Sequence, residues 1–196
     1  MLTKIYASLL KEFGRQEWWP MKRSFRPKEW EVCVGAILTQ NTNWKNVERA
    51  LDSMLRNNLV TPDSLLEIKN EKLEEIIRSS GFYKQKAQRL KTFSKFVLGF
   101  GSFANFKKSV ERSELLKVKG IGPETCDSIL LYACGRPCFV IDAYTKRFAK
   151  SLGIRRNGYE SLREYFESRL PRDVPLYKEF HALIVERGKR GRSGKK

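Results

Sequence analysis

LKVKGIGPETCDSILLY, residues 116–132, ends one helical pattern at Lys119 and starts another at Pro123. Gly120 and Gly122 allow dihedrals that other residues resist. Pro123 suits the first position of a helix, where its missing N–H has no intrahelical role. A tight turn alone needs one glycine. Two glycines with a helix start directly behind them leave backbone N–H groups gathered at a helix N-terminus, a geometry that accepts an anion such as a phosphate. Lys117 and Lys119 add positive charge beside it. These residues alone would equally describe a plain helix–helix turn closed by a glycine cap.

The charge of the whole chain favours the anion reading. Its 196 residues carry 39 Lys and Arg against 22 Asp and Glu, a formal net charge of +17. That balance points first to nucleic acid and second to an anionic membrane surface. No run of about 18 apolar residues is present, so nothing is expected to span a membrane, and with nucleic acid ranked first no membrane partner is expected. The opening MLTKIYASLLKEF has neither an uninterrupted apolar stretch nor a small-residue cleavage site, which implies a cytoplasmic protein. Cys33, Cys126, Cys134 and Cys138 match no zinc spacing, and His181 is the only histidine. No metal site is expected, and the cysteines read as small core residues.

Outward from residues 116–132 the periodicity is helical. Leu2, Ile5, Tyr6, Leu9, Leu10 and Phe13 recur at steps of three and four until Gly14. Residues 28–39 are apolar nearly all round, which implies a central buried helix. Residues 44–57 place Trp44, Val47, Leu51, Met54 and Leu55 on one face. Further helices fit 63–68, 71–79, 84–98, 112–118, 123–134, 143–152, 159–170 and 176–187. Cys138–Ile141 has strand composition but is short and alone. The expected fold is all-α, about ten helices joined by short loops. The stretch from Gly188 to Lys196 is basic and glycine-rich and reads as a flexible tail.

Asp142 ends the apolar run CFVIDAYTKRF and begins a helix closed by Gly153. Aspartate is a favoured N-cap, and that role alone would account for it. A cap can also do chemistry: a carboxylate near a helix N-terminus stays ionised and can stabilise a developing cation.

Hairpin and aspartate together resemble the helix-hairpin-helix DNA glycosylases. GAILTQNTNWKNVERAL (35–51), SGFYKQKAQRLK (80–91) and EFHALIVERGK (179–189) extend the likeness to the endonuclease III type over most of residues 18–189. The resemblance implies a single two-lobed domain over 1–187, with a central lobe at about 28–135 and a second at about 1–27 plus 136–187, and DNA held between them. It makes Asp142 catalytic and Gln40 a DNA-probing residue. Phe82 becomes a wedge into the duplex, and Lys117, Lys119, Gly120, Ile121, Gly122 and Thr125 become the hairpin's DNA contacts. The implied partner is double-stranded DNA with a damaged base, bound by a monomer.

Two departures narrow the resemblance. Bifunctional relatives carry a lysine in the second hairpin helix that forms a Schiff base with the sugar; Glu124 stands at that position here and cannot form the imine. Many relatives end in a four-cysteine loop for an iron–sulfur cluster, and no cysteine follows Arg187, so no cofactor is expected. Both departures, with WWP at 18–20, resemble the 3-methyladenine DNA glycosylases of the endonuclease III type. In that branch Trp18 and Trp44 would stack on the damaged base, with Trp19 nearby. The same tryptophans could instead be core anchors. A glycosylase/lyase for oxidised bases and a non-catalytic DNA-binding module are the rival readings.

Overall fold

The computed structural model describes residues 1–19, 21 and 23–193. Among them all regular structure is helical, and Cys138–Ile141 lies outside any regular element. The chain divides into two compact units, Met21–Cys134 and Met1–Pro20 with Gly135–Lys196.

The unit Met21–Cys134 is built on α2 (Trp30–Leu38), in which all nine residues are buried, as its nearly continuous apolarity dictates, with Glu31 its one charge. Residues 21–27 join this unit rather than the other. The Arg23 guanidinium pairs with buried Glu31 at 2.9 Å and with Asp52 at 2.6 Å, and the Arg26 N–H donates to the Val60 carbonyl at 2.9 Å. Against α2 lie α3 (Trp44–Arg56) and α6 (Tyr83–Leu98). The amphipathic α3 buries Val47, Ala50, Leu51 and Met54, and Asn43 caps it by accepting the Asn46 N–H at 3.1 Å. The short α4 (Pro62–Glu67) and α5 (Asn70–Ile76) pack on α6.

One helix escapes the sequence pattern. Residues 99–111 read as a connection, yet α7 (Phe103–Ser109) forms there, capped by Ser102. It is too short to show periodicity and too short to be stable alone. Aromatic packing holds it. Trp30 lies flat on Phe93 with centroids 5.6 Å apart, and Phe106 meets Phe93 edge-on at 5.9 Å.

The hairpin helices are α8 (Arg112–Leu115) and α9 (Pro123–Ser128). Arg112 clamps fully buried Asp127 through two bonds of 2.7 and 3.1 Å, fixing one helix against the other. The single helix expected over 123–134 changes type midway. From Ile129 to Ala133 it widens to a π-helix, where the Cys134 N–H reaches the Ile129 carbonyl at 3.0 Å. Of the cysteines, Cys33 and Cys126 are buried, while Cys134 and Cys138 are only half-buried.

The other unit combines α1 (Leu2–Phe13), α10 (Ala143–Ser151), α11 (Tyr159–Glu167) and α12 (Val174–Ser193). Its core is aromatic: Phe139 stacks on Phe166 at 4.6 Å, and Phe180 receives both Tyr6 and Phe148 edge-on. The flexible tail expected from Gly188 is helical through Ser193; residues 194–196 lie outside the described residues. Gly188 does not end the helix because it is needed inside it. A Cβ there would sit 2.3 Å from the Tyr144 ring, so glycine lets α12 close on α10. Arg190 then secures the turn, pairing with Glu186 at 2.9 Å and covering the Phe13 ring at 4.8 Å.

Candidate active site and nucleic-acid interface

Asp142 is held from both sides of its carboxylate. The buried run Phe139–Ile141 anchors the chain before it, and the Ile141 N–H donates to the Tyr159 hydroxyl at 3.4 Å. As N-cap of α10, Asp142 accepts the Thr145 N–H on Oδ1 at 2.7 Å. Its Oδ2 faces His181 Nε2 on α12 at 3.6 Å. Burial pushes the Asp142 carboxyl upward, but His181 and the Thr145 N–H together outweigh it and hold the group below the usual aspartate value. The side chain keeps 17% of its surface exposed. The cap reading and the chemical reading therefore coexist: one oxygen is spent on the helix, and the group stays anionic and partly open.

As the only histidine, His181 has no companion imidazole for a metal site, and the sequence alone gives it no other role. The structure makes it the neighbour of Asp142 and the support of an aromatic stack. Trp18 rests on the imidazole at 5.5 Å, and Trp19 stacks on Trp18 at 5.3 Å with planes 28° apart. The available signal was its seat between Phe180 and Ala182 on an apolar helix face, where a lone polar ring needs a partner. Pro20 of the WWP motif lies outside the described residues. Trp44 belongs to the other unit, half-buried at the first position of α3.

In Met21–Cys134 the hairpin is braced from behind. Gly120 has φ +91°, and a Cβ there would lie 2.5 Å from Arg89 Cγ, so only glycine fits. Gly122 differs from the expectation: its φ of −89° is open to any residue, and a Cβ would meet nothing within 4 Å. The Ile121 N–H is spent on the Val118 carbonyl at 3.0 Å. Intrahelical bonding of α9 begins with Cys126, whose N–H reaches the Gly122 carbonyl at 2.9 Å, so the N–H groups of residues 122 and 125 have no intrahelical partner.

The side chains sort into exposed and internal. Lys117 and Lys119 are exposed, and Phe82, in a left-handed conformation at the head of α6, is 61% exposed. Ile121 and Thr125 are buried, which confines their expected DNA contact to backbone. Gln40 is half-buried and occupied rather than free to probe. Its Nε2 donates to the Gly120 carbonyl at 3.0 Å and to Thr125 Oγ1 at 2.9 Å, while Arg89 donates to its Oε1. In this state Gln40 is a brace between the loop after α2 and the hairpin.

Lys86 provides a second brace. Fully buried, it donates to the carbonyls of Leu38 at 2.8 Å and Ser80 at 2.6 Å, joining the loops that carry Gln40 and Phe82. Burial, with the Arg89 charge second, lowers its pKa from 10.5 to about 8. Lys86→Met strands two buried carbonyls and is expected to cost about 2–4 kcal/mol in urea unfolding. Because the folded pKa is below the unfolded one, the unfolded state holds the extra proton between the two values. Wild-type stability should therefore gain an increment from this group as pH rises from about 8 to 10.5. The methionine variant should lack that increment.

These clusters agree with the relationships of the chain. Residues 34–172 match the model of the HhH-GPD superfamily base excision DNA repair proteins, well over half of the sequence. The protein belongs to this superfamily and is a DNA glycosylase whose partner is DNA. A putative DNA repair glycosylase of Methanocaldococcus jannaschii is 46% identical over 198 residues, covering 97% of this chain and 88% of the relative. Endonuclease III of Thermotoga maritima is 30% identical over 192 residues, with 97% and 84% covered. Among solved structures, H. pylori 3-methyladenine DNA glycosylase bound to 1,N6-ethenoadenine superposes with a TM-score of 0.82 at 35% identity, over 97% of this chain and 96% of that one. Among the described residues no helix is long and apolar enough to cross a membrane, and no group of three or more His, Cys, Asp or Glu could hold a metal ion.

Proposed function

We propose that the protein is a monofunctional glycosylase that releases alkylated purines, 3-methyladenine foremost, from double-stranded DNA, using Asp142 and no cofactor. The observation that carries this reading is the Asp142 carboxylate, kept anionic between the Thr145 N–H and His181, with the Trp18–Trp19 stack resting on that same histidine. The damaged nucleotide is extruded so that its sugar–base bond can be reached. The bond between C1′ and the base nitrogen breaks, its electron pair leaves with the base, and the sugar acquires positive charge. Asp142 stabilises that charge, and a water oxygen then bonds to C1′ and gives up its proton to solvent, which balances the positive charge the departing base has lost. A purine alkylated at N3 is already cationic and leaves without a strong acid. Indole faces attract such a cation.

Two observations favour hydrolysis over lyase chemistry. Glu124 is an exposed carboxylate where bifunctional relatives carry lysine. Lys86, the lysine with the lowered pKa, is sealed in the interior on two carbonyls and offers no nucleophile to a sugar. The ligand of the H. pylori relative, itself a modified adenine, fits the same preference. Incubation with methylated duplex should release 3-methyladenine, detected by chromatography, and borohydride should trap no protein–DNA adduct. A trapped adduct, with release confined to oxidised bases, transfers the protein to the glycosylase/lyase reading.

A further inference from the structure

The C-terminal half of α10, the loop after it and the start of α11 enclose an open cleft of about 620 Å³. Lys146, Lys150, Arg155 and Arg156 line it, with Ile154 and Tyr159 among the uncharged walls, and no carboxylate is among the lining residues. Among the described residues, none of the four cations is in an ion pair, and Arg156 lies over the Tyr165 ring at 5.5 Å. Two of the three acids of the adjoining helix are committed elsewhere, Glu160 and Glu167 both binding Arg163 at 3.0 and 2.8 Å, and the third, Glu164, does not line the cleft. Four like charges around one concavity repel one another and gain nothing from folding. They are favourable only when an anion fills the cleft.

We infer that this cleft is a second DNA site, taking the phosphodiester backbone of undamaged duplex flanking the lesion. The position supports it. Asp142, Lys146 and Lys150 follow one another at four-residue steps along a single face of α10, about 6 Å per step. Arg155 and Arg156 continue the line beyond the helix. Tyr159, a wall of the cleft, also accepts the N–H of Ile141, the residue before Asp142, so cleft and carboxylate are parts of one rigid arrangement. A strand whose sugar meets Asp142 carries further phosphates over this distance, and a cation held on a phosphate carries no sequence information. Its contribution is therefore independent of sequence and damage, and depends on salt through counterion release.

The inference rests on the DNA partner of the family, not on the alkylated purine. The test is K146Q/K150Q/R155Q/R156Q in the full chain. All four side chains are exposed, so the thermal unfolding curve should be unchanged. Affinity for a short undamaged duplex is expected to fall about tenfold or more at low salt, with the slope of log K against log salt shallower by about 3. Single-turnover base release at saturating enzyme should be unchanged. An unaltered slope overturns the inference. So does a shallower slope accompanied by loss of base release, which would make the cleft part of the reaction centre. If wild type releases no alkylated purine while the slope still falls, the substrate assignment fails and the second DNA site stands.

Discussion

Asp142→Asn is expected to lower base release by at least about a thousandfold while leaving duplex affinity largely intact. The asparagine amide has the shape of the carboxylate and can still accept the Thr145 N–H through its oxygen, so the cap of α10 survives the change. What disappears is the negative charge. Once bound DNA covers the partly open carboxylate and excludes bulk water, a fixed anion beside the sugar lowers the barrier by several kcal/mol, because nothing must reorganise when the cation forms. Single-turnover release and gel-shift binding, measured on one preparation, separate the two effects; retained turnover removes Asp142 from the chemistry.

The pH profile carries the same argument. Asp142 titrates below its ordinary value of 3.8 in the folded protein. Its contribution to stability is thus complete above that value and is lost as pH falls through the depressed one. Activity that needs the anion should likewise keep its acid limb below the normal aspartate range. His181→Gln removes the first of the groups that hold the carboxyl down, so its acid limb should move upward. A histidine that only packed against Trp18 would leave the limb in place.

The sequence was most informative where backbone chemistry is local. Pro123 after Gly122, Asp142 before a helical run, and the nearly all-round apolarity of 28–39 each reveal an element without reference to distant residues. It was uninformative where tertiary packing decides. The helix α7 exists because Phe106 meets Phe93, and α12 passes through Gly188 because Tyr144 occupies the space a side chain would need. The site divides along the same line. Asp142 was legible as a cap, whereas His181 became visible only when α12 was laid beside α10. The resemblance gives Gln40 an outward role, and the residues that hold it inward, Arg89 and Thr125, lie 49 and 85 positions away.

The two hairpin glycines should fail in opposite ways. Gly120→Ala places a methyl 2.5 Å from Arg89 Cγ at φ +91°, so strain and collision act together. Arg89 must then release Gln40, and with it the brace on the Gly120 carbonyl. An expected stability loss of about 2–3 kcal/mol, read from denaturant unfolding, follows from the strained dihedral and the broken network. Gly122→Val meets neither obstacle. Its φ of −89° and ψ of 175° suit a β-branched residue, and the added atoms enter open space. Unfolding should be unchanged, yet affinity for duplex should fall by about tenfold or more, equivalent to about 1.4 kcal/mol. The reason for glycine at 122 is then external: the backbone N–H groups beside it can reach a phosphate only if no side chain stands above them. If the valine variant binds duplex as wild type does, the hairpin is a structural turn and the phosphate contact must be sought elsewhere.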